Sequence, residues 1–167
     1  MGGIVLGVLC GGWIFVNGLL GWYKDPAMYA SFVPIVSALE IGVLVWVLSK
    51  TAKMGRTYSG QVVAGATVAL IGGLIIIAAS MVFSTVLYPN YFDEINAMTR
   101  EMAVKGGQSE EQINAMIEAA RPMQTPIAAA LAGFIGTIIT GVVASAVIAI
   151  WVRAKGPQPS HQHVDLA

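Results

Sequence analysis

The sequence predicts an all-α fold: a polytopic four-helix transmembrane bundle that carries an extramembrane amphipathic αα-hairpin. Three observations predict it. Four apolar stretches, Gly2 to Trp22, Phe32 to Ser49, Gln61 to Leu87 and Thr125 to Val152, are each about as long as a helix that crosses a bilayer. Charged residues make up 11% of the 167-residue chain, well below the roughly 25% of soluble domains, and the mean hydropathy is +0.74. The one long polar interval, Pro89 to Gln124, keeps a helical repeat of apolar residues. These features predict a single transmembrane domain over residues 1–155, followed by a polar tail at 156–167.

The first span reads as a retained helix. Its apolar run is too long for a signal peptide, and no Lys or Arg precedes it. Leu6 stands where a myristoylation signal needs Ser or Thr. Cys10 is the chain's single cysteine, so it forms no internal disulfide and says nothing of the redox compartment.

Small residues recur every four positions in three of the spans. Gly3, Gly7 and Gly11 do so in the first and Gly65, Ala69 and Gly73 in the third. The fourth has Gly133, Thr137, Gly141, Ser145 and Ala149. Such rows let helix backbones approach closely, which drives association where lipid cancels the hydrophobic effect. Most of this packing is expected within the chain. Three faces among four helices also leave room for a seam with a second copy or with another membrane subunit, the candidates being Gly3, Gly7, Gly11, Gly133 and Gly141.

In the long polar interval, Tyr91, Ile95, Met98 and Met102 mark one helical face, and Gly106-Gly107 ends that helix. Ser109 and Gln112 have capping-box spacing for a second helix, with Glu110 and Glu111 at the positive end of its dipole. Ile113, Met116, Ile117 and Ala120 continue the apolar face, so the hairpin is predicted over about 90–121. Methionines at this spacing read as adaptable packing residues.

Basic residues orient the bundle. Lys50, Lys53, Arg56, Arg153 and Lys155 flank one end of the spans, against Lys24, Arg100, Lys105 and Arg121 at the other. The distribution predicts N-in, C-in topology, with the hairpin outside. Trp22, Tyr23, Tyr29, Tyr88 and Tyr91 gather at the predicted outer boundary and Trp46, Tyr58 and Trp151 at the inner one, where amphipathic rings favour headgroup depth.

Glu40 is the one acid within a span. A mid-helix carboxylate costs about 2.5–3.5 kcal/mol on insertion scales and marks a functional site by default. Counted from the predicted outer boundary, Glu40 lies roughly 12 Å deep at about 1.5 Å per residue. Ser80 falls at the same depth and Asn17 nearby, so both are candidate hydrogen-bond partners. The site reads either as a structural carboxyl or as a proton or cation site.

Three stretches resemble the bacterial family called domain of unknown function 4199. The first is the basic loop running into Tyr-Ser-Gly-Gln-Val-Val-Ala-Gly at Tyr58 to Gly65. The second is Tyr88-Pro89-Asn90-Tyr91-Phe92 with the acidic helix after it. The third is EMAVKGGQSEEQINAMI from Glu101 to Ile117, then Pro126 and the glycine-rich last span. They cover roughly Tyr58 to Lys155, while the first two spans match in pattern only. The resemblance implies a small four-span fold and its topology, set in a bacterial inner (cytoplasmic) membrane, and brings no activity, cofactor or catalytic residue.

No phosphate loop, zinc motif or nucleophile elbow is present, and a net charge of zero offers no field for nucleic acid. Both histidines, His161 and His163, fall in the tail, which leaves the spans without an axial ligand for haem or chlorophyll. The expected function is non-catalytic and without cofactors or a bound metal. It is that of an accessory or scaffold protein packed against other subunits or itself in the lipid bilayer, a respiratory or photosynthetic complex being one candidate assembly. The alternative is a small proton- or cation-coupled transporter using Glu40.

Overall fold

The computed structural model describes residues 1–152. The basic flank at Arg153 and Lys155, and the tail with His161 and His163, lie outside the described residues. Six helices carry the fold: α1 (Gly2–Leu19), α2 (Pro26–Lys53), α3 (Tyr58–Val82), α4 (Tyr91–Lys105), α5 (Glu110–Ala120) and α6 (Pro126–Val152). α1, α2, α3 and α6 are long and apolar enough to cross a membrane, and α4 with α5 forms the hairpin. The fold is therefore all-α and four-spanning, as the sequence predicts.

The largest difference from the predicted boundaries is a matter of capping. The second span starts at Pro26 instead of Phe32. The Asp25 carboxylate accepts from the backbone N–H groups of Ala27 and Met28 at 2.9 and 3.0 Å, and Pro26 occupies the first helical position, where its missing N–H costs nothing. At the far end of α3, Phe83–Leu87 continues as one π-helical turn, so the third span ends at Leu87 as predicted; within this turn the Ser84 hydroxyl donates to the Ser80 carbonyl at 2.8 Å.

α3 is the central helix, packed chiefly on α1 and α6, and α2 closes the ring against those two. Small residues set both main seams. A Cβ on Gly3 or Gly7 would lie 2.6 or 2.5 Å from the Cβ of Ile71 or Ile75, and one on Gly11 would lie 3.0 Å from that of Ala79. Each step of four along α1 thus advances four along α3, and the two helices run parallel. On the opposite face of α3, Gly65 leaves room for Ser145, and Ala69 abuts Gly141, an antiparallel register. Thr137, Gly141, Ser145 and Ala149 are buried along this second seam. Between the seams the core is Leu6, Cys10, Val43, Leu44, Val68 and Ile76.

The hairpin docks on the end of the bundle through aromatic rings. Tyr23 is buried between Phe83, Tyr88 and Tyr91, with centroid separations of 6.5, 5.7 and 5.2 Å. Its hydroxyl donates to the Glu94 carboxylate, which also pairs with Lys24 at 3.0 Å. Hydrogen bonds from Tyr23 and then Lys24 hold the Glu94 carboxyl below its ordinary range. Burial, and then the bond to Glu94, pushes the Tyr23 phenol up. Within the hairpin, Ile95, Met98 and Ile113 are buried, while Met102 and Met116 on the predicted apolar faces are exposed. The Ser109–Gln112 capping box forms as its spacing predicts, with bonds of 2.9 and 3.3 Å.

Two expectations follow from this packing. Gly7→Ala places a methyl group against Ile75 and should cost about 1–3 kcal/mol by overpacking. Gly12→Ala, whose Cβ meets nothing within 4 Å, should be neutral or slightly stabilising through helix propensity. Reversible unfolding in mixed micelles measures both; equal effects would contradict the seam. The second concerns Glu94. Because its folded-state pKa is depressed, its contribution is complete above the ordinary carboxyl pKa of about 4.3 and is lost as pH falls through the folded value. Hydrogen exchange in α4, corrected for intrinsic rate, should therefore accelerate in acid, and Glu94→Gln should weaken that pH dependence.

Candidate functional site

Glu40 projects from the middle of α2 into the bundle and is 3% exposed. Helix lengths place it about 21 Å along α2 from Pro26, at ~1.5 Å per residue. It is therefore deeper than a span beginning at Phe32 predicts, and the earlier Asp25 cap accounts for the difference. Its Oε1 lies 3.1 Å from the point a Cβ on Gly141 would occupy, so the carboxyl faces α6 at the level where Gly141 meets Ala69.

This placement corrects the predicted partners. Ser80 lies about 16 Å along α3 from Ala69 at ~1.5 Å per residue, and neither Ser80 nor Asn17 hydrogen-bonds Glu40. Asn17 is buried at the hairpin end of α1, next to Gly18, which packs against the Phe83 and Tyr88 rings. Oε1 of Glu40 is buried without a hydrogen-bond partner among the described residues. Trp13 Nε1, Gln61 Nε2 and Ser145 Oγ share that condition. Glu40 alone among these side chains is ionisable, and Gln61 satisfies its other end by accepting from the Thr51 hydroxyl at 2.6 Å.

The carboxyl lines a cleft of about 230 Å³ between α2 and α6. Its polar lining is Ser37, Glu40, Thr137 and Thr140, and Phe32, Val33 and Val36 supply apolar wall. Gly133 and Gly136 stand at the rim, exposed, with nothing within 4 Å of where a Cβ would sit. Toward the hairpin the cleft meets a second cavity of about 200 Å³ that holds Cys10, Ser80 and Ser84. Phe32, Val36, Gly133 and Thr137 line both. Ser80 thus belongs to the neighbouring cavity.

The candidate seam glycines separate into two groups. Gly3, Gly7, Gly11 and Gly141 contact other helices of the same chain, whereas Gly133 faces open space. Ser37 and Thr140 were not among the predicted site residues. Ser37 had a signal, since it stands one turn before Glu40 on the same helical face. Thr140 had none, because only the packing of α6 against α3 turns it toward α2. Among the described residues no cluster of His, Cys, Asp and Glu could hold a metal ion.

Comparison with curated proteins and with solved structures gives no match. A family model described as protein of unknown function (DUF4199) matches residues 2–154, and so includes the two spans whose resemblance is one of pattern. Four spans, an acidic hairpin and a match over nearly the whole chain agree, and the protein belongs to this family.

Proposed function

We propose that the protein is a non-catalytic accessory or scaffold subunit that works by packing against another membrane protein in a larger assembly. One observation carries this reading. α6 spends one face of small residues on α3, and it keeps Gly133 and Gly136 bare beside an open cleft with α2. A bare glycine facing lipid gains nothing for the chain itself, whereas it lets a neighbouring backbone approach. The parallel and antiparallel seams on α3 also favour a rigid body. Alternating access would need one of these interlocked faces to slide.

A transporter is the second reading, favoured by the unpartnered Glu40 carboxyl in its cleft. The proposed setting is the bacterial inner membrane, as the family resemblance implies, and the distribution of basic residues supports both termini inside and the hairpin outside.

Three measurements test these statements. In mild detergent the wild-type chain should run in a complex larger than its own micelle. Gly136→Leu, which enters no core, should release it as a folded monomer; an unchanged complex would contradict the use of this face. Proton or cation flux in proteoliposomes should be absent; flux in the wild type that is lost in Glu40→Gln would establish the transporter instead. For orientation, Gln108→Cys should react with an impermeant maleimide in intact cells and Ser59→Cys only after permeabilisation, and the reverse pattern would invert the topology.

A further inference from the structure

The cleft beside Glu40 is part of a groove that follows α6 along most of its length, with α2 forming the facing wall from Phe32 to Ile41. Toward the α2–α3 loop it continues as a cavity of about 430 Å³ walled by Ile41, Ile139, Val143 and Val147, and Thr140 borders both parts. From Ala132 to Ile148, residues lining the two parts, the groove covers about 24 Å at ~1.5 Å per residue, most of the ~30 Å hydrocarbon layer. α2 and α6 each bury only 22% of their most apolar window, against 39% for α1 and 33% for α3. The groove is therefore apolar, helix-length and open on the lipid side, with one buried and unpartnered carboxyl at its middle.

We infer that this groove receives a transmembrane helix of another protein, one that carries a Lys or Arg near mid-span, and that the basic group pairs with Glu40. This rests on the scaffold reading and names the partner's chemistry. Charge complementarity selects the occupant. Among the described residues no donor reaches Oε1 of this buried acid, and intramembrane ionisable groups pair with one another or with backbone. A lipid chain fills apolar space at mid-bilayer depth but brings no donor. A second copy brings no cation there either: in the described spans the basic residues are Lys50 and Lys53, at the loop end of α2. Gly133 and Gly136 at the rim let the incoming backbone come near enough for a long basic side chain to reach the floor.

Two synthetic Leu/Ala helices of about 20 residues, one with Lys and one with Leu at the centre, test this in phosphatidylcholine vesicles. Each carries a dansyl group, and the protein's own tryptophans act as energy-transfer donors. The Lys-centred peptide should bind saturably and about tenfold more tightly than the Leu-centred one. Glu40→Gln should bring the Lys peptide to the level of the Leu peptide, and Gly133→Leu should weaken it while leaving Glu40 in place. Equal binding of both peptides to the wild type, or undiminished binding of the Lys peptide to Glu40→Gln, would overturn the inference. Should Glu40→Gln not fold, the wild-type peptide comparison and Gly133→Leu decide the matter. The detergent experiment tests the scaffold reading alone, so the two can fail separately.

Discussion

The approach of α3 to within backbone contact of two neighbours is the constraint on which the rest of the molecule depends. In lipid the hydrophobic effect gives helices no reason to associate, so surface shape has to do it. Glycines on α1 leave room for Ile71 and Ile75, and the Gly65–Ser145 and Ala69–Gly141 contacts do the same for α6. Side chains this small surrender little rotamer entropy when packed and bring many atoms within dispersion range. The result is a three-helix unit whose register is set at every fourth residue.

α2 is held differently. It meets α6 and α1 with larger side chains and contains Pro34, which removes one backbone hydrogen bond. α6 packs its row against α3 from Thr137 to Ala149, while Gly133, at the end of that row, and Gly136 meet nothing, and the space beside α2 stays open. Glu40 occupies the floor of that space as a consequence of the same register, since its carboxyl faces Gly141, which carries no side chain of its own. At the hairpin end the logic is polar and aromatic. Tyr23 covers the rings of Phe83, Tyr88 and Tyr91 and binds Glu94, tying α4 to the turn between α1 and α2.

Much of this was legible in the residues. Span number, the hairpin, its capping box and the rows of small residues all follow from periodicities that helices impose. The start of α2 was less so, because Asp25-Pro26 is an interfacial pair whose capping role an apolar-run criterion overlooks. The partners of Glu40 were not legible. Depth counting places residues along an axis but not around it, and an error of six residues at Pro26 moved the carboxyl away from Ser80 to the level of Gly141. The exposure of Met102 and Met116 has the same origin, since an amphipathic face shows which side can be buried and not how much of it the neighbour covers.

A double-mutant cycle across the α3–α6 seam tests the central constraint most directly. Gly141→Ala adds a methyl group where Ala69 already stands, and Ala69→Gly removes the obstruction. Unfolding of the wild type, both single variants and the double variant in mixed micelles should show Gly141→Ala destabilising, with most of that loss recovered when Ala69→Gly is added. Additive effects, within the roughly 0.3–0.5 kcal/mol seen for independent sites, would mean that the two positions do not touch and that the seam is not what orders the bundle.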